Sequence, residues 1–225
     1  MTVETHWPRL ARAEAAASEA RGARLKGQGE EGAEVATETG TKEMYVGALQ
    51  HFGDLVHQVP ADAWTGPTPC TEWDVRALVH HLVSEIAWTV PLLGGRSVTD
   101  VGDSLSGDLL GDDPVASWDA AAAEALAAVD TDGAMELVIH LSRRDVTGED
   151  YVFEVFNDLA IHGWDLARAI GADETIDPTY VAVIDEKVGP AIADLKASGQ
   201  YGDEVIPADG ADAQTRLLAM FGRVA

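Results

Sequence analysis

Asp158 and His162 stand four residues apart in the run Asp158-Leu-Ala-Ile-His162-Gly-Trp164-Asp165-Leu-Ala-Arg168. Read as helix, that spacing stacks the carboxylate and the imidazole on one face. An oxygen and a nitrogen donor held at fixed separation suit a divalent cation of borderline softness. A third donor must come from another element, and the adjacent His80 and His81, on an earlier helical stretch, are the best candidates. Three protein donors leave coordination positions open for water or substrate, as at a reactive rather than a structural metal.

The elements that must position these groups are helical. Val46, Leu49, Phe52, Leu55, Val56 and Val59 recur at helical spacing and predict a first helix over 45–59, stopped by Pro60. Pro67 and Pro69 block helix in the loop that follows. A second helix is expected from Thr71, with Thr71 and Asp74 as a capping box and Val75, Leu78, Val79, Leu82 and Ile86 as its core stripe. Pro91 and Gly94-Gly95 should end it, and residues 96–113 read as a Gly/Asp/Ser-rich loop. A third helix spans 114–129, with Pro114 at its first turn and Val115, Trp118, Ala122, Leu126 and Val129 facing inward. Leu137 to Leu141 suits either a strand or a buried extended segment. The fourth helix, about 150–170, carries the Asp158–His162 pair and ends at Gly171; a fifth covers about 178–197, and a short last helix lies near 213–221. The pattern is all-α, a four-helix bundle over 44–171 with C-terminal helices, 172–225, expected to pack on it. Residues 1–43, with few large apolar groups and a Gly/Glu/Thr-rich stretch, read as a disordered extension, either a tail or the product of a start placed too far upstream.

On the fourth helix Tyr151, Glu154, Asp158, His162 and Asp165 share one face, and Phe156, Leu159, Ala160, Leu166 and Ile170 lie on the other side. Periodicity alone suits a solvent-facing polar stripe as well as a binding face. His80 and His81 flank the second helix's core stripe on opposite sides, and periodicity does not choose between them. His81 lies on the side of Glu85, which can orient its ring. His51, His57 and His140 are weaker candidates, with His57 late enough on the first helix to line the same cleft. Cys70 precedes the second helix, where a helix dipole favours thiolate, but in a proline turn without a dedicated base it reads as a small buried turn residue. Asp165 and Arg168 are expected as structural partners and Trp164 as core.

Composition sets the outer limits. The 225 residues are 46% hydrophobic, enough to bury a core. Fifteen basic residues against 39 acidic ones give a formal charge of −24, which repels phosphate backbones and anionic lipids and argues against nucleic-acid or membrane partners. One cysteine permits no internal disulfide and fits a reducing compartment. With no apolar run of spanning length and no apolar signal core, a cytoplasmic location is expected.

The run Thr68-Pro69-Cys70-Thr71-Glu72-Trp73, then His81 eight residues after Trp73, then Asp158-xxx-His162 with Trp164-Asp165-Leu166-Ala167-Arg168, resembles the actinobacterial DinB-like metal-binding proteins. These are related to the N-terminal domain of mycothiol-dependent maleylpyruvate isomerase, and the resemblance covers about 44–225. It implies a DinB-like bundle with a divalent metal at its open end, held by His81, Asp158 and His162. It also implies a low-molecular-weight thiol, mycothiol, as cosubstrate, with a small electrophile as the other partner. Zinc is the default for two imidazoles and a carboxylate, and nickel, iron or manganese fit the same donors. The relatives carry Glu where this chain has Asp158, which is one methylene and about 1.5 Å shorter. A carboxylated thiol needs cationic partners, for which Arg143 and Arg144 are the candidates. Three functions follow: a metal-dependent, thiol-using transferase or isomerase, a non-catalytic metal-binding or stress-associated module, and a binder of apolar ligands in the bundle cleft.

Overall fold

The computed structural model describes residues 40–142, 144–191 and 205–225. The chain forms two compact units, of which Gly40–Ile176 is the larger and carries the candidate site. Helix α1 (Thr41–Gln58) packs against α5 (Gly148–Ile170), and α2 (Val75–Leu93) packs against both α4 (Pro114–Val129) and α5. Contact between α1 and α4 closes the four-helix bundle. Its core draws Tyr45, Leu49 and Phe52 from α1, Leu78, Leu82 and Ile86 from α2, Trp118 from α4, and Tyr151 and Phe156 from α5, all buried. The fold is all-α, as the helical periodicity predicts, and DinB-like, as the resemblance implies. No single described helix is long and apolar enough to cross a membrane.

Several boundaries differ from those expected, each for a local reason. The first helix begins at Thr41 rather than Tyr45, and Thr41 hydrogen-bonds Glu149 at the start of α5 (3.1 Å). The second begins at Val75, not Thr71, because Asp74 is the cap: its carboxylate accepts from the Ala77 N–H. The two N–H groups before that are satisfied by the incoming loop, Val75 by the Gly66 carbonyl (3.1 Å) and Arg76 by that of Trp64 (2.8 Å). Thr71 therefore stays in the turn, which Thr68 ties by donating to the Trp73 carbonyl and accepting from the Cys70 N–H. Pro91 lies inside α2 rather than ending it; in the last turn a proline removes one intrahelical bond, and the helix continues to Leu93.

Residues 96–113 hold more structure than a loop. A capping box of Ser97 and Asp100 starts a short helix α3 (Val98–Val101), followed by a 3-10 turn at Gly102–Leu105. Arg76 on α2 clamps the segment through Asp108 (2.9 Å) and the Gly111 carbonyl (2.7 Å), and Leu110 is fully buried. The Leu137–Leu141 region is a strand: β1 (Val138–His140) pairs antiparallel with β2 (Asp145–Thr147), Ile139 opposite Val146. Thr147 then caps α5, and Gly148 is pressed so close to residue 134 that a Cβ there would sit 1.9 Å from the Ala134 carbonyl oxygen. Gly171, at φ +72°, ends α5 in the left-handed conformation that favours glycine.

In the second unit α6 (Pro178–Val188), capped by Asp177, runs into a 3-10 turn at Gly189–Ala191. It packs against α7 (Ala213–Met220), which Asp212 caps. The expected continuation of α6 to residue 197, the extension before residue 40, and Arg143 lie outside the described residues.

Candidate metal centre

The α2–α5 contact brings His81, Asp158 and His162 together. One donor atom from each lies within 4.8 Å of the others. His81 Nε2 is 3.6 Å from Asp158 Oδ2, and the two imidazole rings meet edge to face with centroids 5.1 Å apart. Both rings are buried, while the Asp158 side chain keeps 19% of its surface, so the cluster opens to solvent on the carboxylate side. Asp158, though shorter than Glu, reaches the cluster because α2 and α5 are in direct contact.

Each imidazole is backed by a buried carboxylate. His162 Nδ1 donates to Asp165 Oδ2 at 2.9 Å, one turn along α5, and Asp165 is fully buried. With Nδ1 so engaged, Nε2 is the nitrogen that could ligate a metal. On His81 the division is the same, with Nε2 toward Asp158 and Nδ1 toward Glu85, 3.9 Å away and one turn along α2. At that distance the pair makes no direct hydrogen bond. Burial pushes the Glu85 carboxyl up to about 7; the Asp158 charge adds to the rise and His81 opposes it. The Tyr151 hydroxyl is held well above its usual range, again chiefly by burial, with the Glu85 charge contributing. Near neutral pH the Glu85 carboxyl is thus partly protonated in the protein's own field.

The Thr68–Trp73 turn covers the other side. Trp73 lies against both imidazoles, with centroid distances of 4.7 Å to His81 and 5.6 Å to His162. Cys70, half-buried, donates its S–H to Asp165 Oδ2 (3.2 Å) and sits 3.8 Å from His162 Nδ1. By its proline turn Cys70 is expected as a small buried residue, whereas it is half-buried and in contact with the site. The only signal that it neighbours His162 lay in the turn's position before α2, which does not reveal how the turn folds back over α5.

The other histidines have different tasks. The His80 Nε2 lies 3.1 Å from the Leu109 N–H and 2.9 Å from the Gly107 carbonyl, tacking the 96–113 segment to α2. His57 pairs with Asp119 (2.8 Å) and His140 with Asp145 (2.9 Å), both exposed. His51 is exposed on α1. Trp164 is core, and Arg168 lies over its ring and 3.7 Å from Glu174. Arg144 donates to Glu154 at 2.6 Å.

Two imidazoles and a carboxylate in one small volume, converging from two helices of a four-helix bundle, define a DinB-like protein with a candidate mononuclear metal site. The chain belongs to the mycothiol maleylpyruvate isomerase N-terminal domain family, whose model matches residues 47–167. It is similar to two proteins of Mycobacterium tuberculosis strains, named uncharacterized protein MT0763 and uncharacterized protein Rv0738. Each is 31% identical over 133 residues, spanning 58% of this chain and 68% of the relative. No solved structure matches the chain.

Proposed function

We propose that His81, Asp158 and His162 hold a divalent metal, zinc by donor type, and that the protein uses it to bind mycothiol or a similar small thiol for transfer or isomerisation of a small electrophile. The observation that carries this reading is the convergence of one donor atom each from His81, Asp158 and His162 within 4.8 Å, with the Nδ1 of each ring facing a buried acidic residue. A polar stripe made for solvent would not bury Asp165 and Glu85 behind the rings, since burying a carboxylate is costly without a charged or hydrogen-bonding partner.

Held by His81, Asp158 and His162, a divalent ion would supply Lewis acidity that favours the thiolate form of a small thiol. The chain's own residues do the rest. Asp165 fixes the His162 tautomer and ring plane, and Glu85 faces the corresponding nitrogen of His81. Trp73 forms an apolar wall over both rings that keeps water from that side. The partly exposed Asp158 marks the side from which a thiol and an electrophile approach.

The engagement of Arg144 with Glu154 removes an expected anchor for a carboxylated thiol and favours the second reading, a metal-binding module without turnover. A direct assay separates the two. Metal-loaded protein mixed with mycothiol and a panel of electrophiles that includes maleylpyruvate should turn over in a thiol-dependent manner, and His162→Ala should abolish this. Stoichiometric metal without turnover on any electrophile supports the module.

A further inference from the structure

We propose a second metal-binding set, Cys70 Sγ, His162 Nδ1 and Asp165 Oδ2, which takes a soft, thiophilic cation and shares His162 with the first set. The three donor atoms lie within 4.8 Å of one another. Their separations are 3.8 Å from sulfur to Nδ1, 3.2 Å from sulfur to oxygen and 2.9 Å from Nδ1 to oxygen. A tetrahedral ion with bonds of about 2.3 Å to sulfur and about 2.0–2.1 Å to nitrogen or oxygen spaces its donors by about 3.3–3.6 Å. The cluster matches that spacing once Asp165 Oδ2 moves a few tenths of an ångström away from both Nδ1 and sulfur and the sulfur closes slightly on Nδ1.

The two sets differ in chemistry. His81, Asp158 and His162 offer nitrogen and oxygen alone, whereas the second set adds a thiolate, which selects softer cations. They also differ in which nitrogen of one ring they use. With an ion in the second set, the Cys70 thiol proton leaves to solvent, and the proton on Nδ1 is replaced by one on Nε2. Nε2 then carries hydrogen and no longer ligates, so His162 leaves the first set. A thiophilic ion therefore draws the shared imidazole away from His81 and Asp158, and the half-buried Cys70 is the side from which it enters. This site needs no thiol chemistry and no turnover, so its failure would leave the proposed reaction intact.

The test uses cadmium chloride as the thiophilic probe on the full chain, freed of metal and kept reduced. Ultraviolet absorption should show a thiolate-to-cadmium charge-transfer band that saturates with added ion, and X-ray absorption should show a cadmium–sulfur shell. The band should persist in His81→Ala and vanish in Cys70→Ser. His162→Ala and Asp165→Asn should each weaken cadmium binding, read from the band, by roughly tenfold or more. A wild-type protein that binds cadmium through nitrogen and oxygen only would overturn the site, whatever the variants do. So would a band of unchanged affinity in both His162→Ala and Asp165→Asn, because a lone thiolate would then hold the ion.

Discussion

His162 is the residue at which the local forces meet. Its Nδ1 is engaged by a fully buried aspartate, and its ring lies against both Trp73 and His81. Asp165 acts through it as a positioning residue. Asp165→Asn keeps the shape but replaces a charged acceptor by a neutral amide, so affinity for zinc or cobalt, measured by competition with a chromophoric chelator, should fall about 10- to 100-fold. Unchanged affinity would reduce Asp165 to packing. Glu85 allows a pH test in metal-stripped protein. Its folded value of about 7 lies above the ordinary 4.5, so the neutral acid is the favoured form. The stability it confers is complete below the unfolded value and is lost as pH rises through the folded one. Glu85→Gln, always neutral, should therefore gain in thermal midpoint relative to wild type at about pH 8 compared with about pH 5. An equal difference at both values would mean that the buried carboxyl does not titrate in this window.

At the scale of the element, the junctions rather than the helices place the site. The connection over 64–74 satisfies the first N–H groups of α2 and lays Cys70 and Trp73 over the two histidines. The hairpin before α5 does the corresponding work, with the carbonyls of Leu137 and Met135 accepting from the N–H groups of Gly148 and Glu149 (2.8 Å each). Gly148 has no room for a methyl group, and the obstacle is a backbone oxygen that cannot swing aside. Gly148→Ala should cost about 1–3 kcal/mol in urea denaturation; a change within experimental error would show that the hairpin yields. These junctions were the least legible part of the sequence. Thr71 and Asp74 are both good caps, and local chemistry alone could not show that Trp64 and Gly66 would supply carbonyls at Val75 and Arg76. The long helices were legible because each buries a continuous stripe at helical spacing, and Gly171 and Pro114 punctuate them as glycine and proline usually do.

For the molecule as a whole, the bundle and its family follow from pattern and motif, while the site required two helices to meet. The Asp158–His162 spacing could be read from one helix. The choice of His81 over His80 could not, because both flank the stripe of α2; only the packing of α2 on α5 turns His81 to the cluster and leaves His80 to hold the 96–113 segment. Asp165 shares the His162 face by helical spacing, whereas Cys70 joins the site only because the turn before α2 folds over α5, which no single-helix periodicity contains. An ion held by one residue of α2 and two of α5 would also tie those helices together and would stabilise the folded state. The most direct test of this account is the metal content, by elemental analysis, of protein purified without a metal-affinity tag and equilibrated with zinc. The account predicts about one tightly held divalent ion per chain in the wild type and a loss of roughly tenfold or more in affinity in His81→Ala and in Asp158→Ala. A wild type that holds no ion, or one whose binding survives both substitutions unchanged, would contradict it.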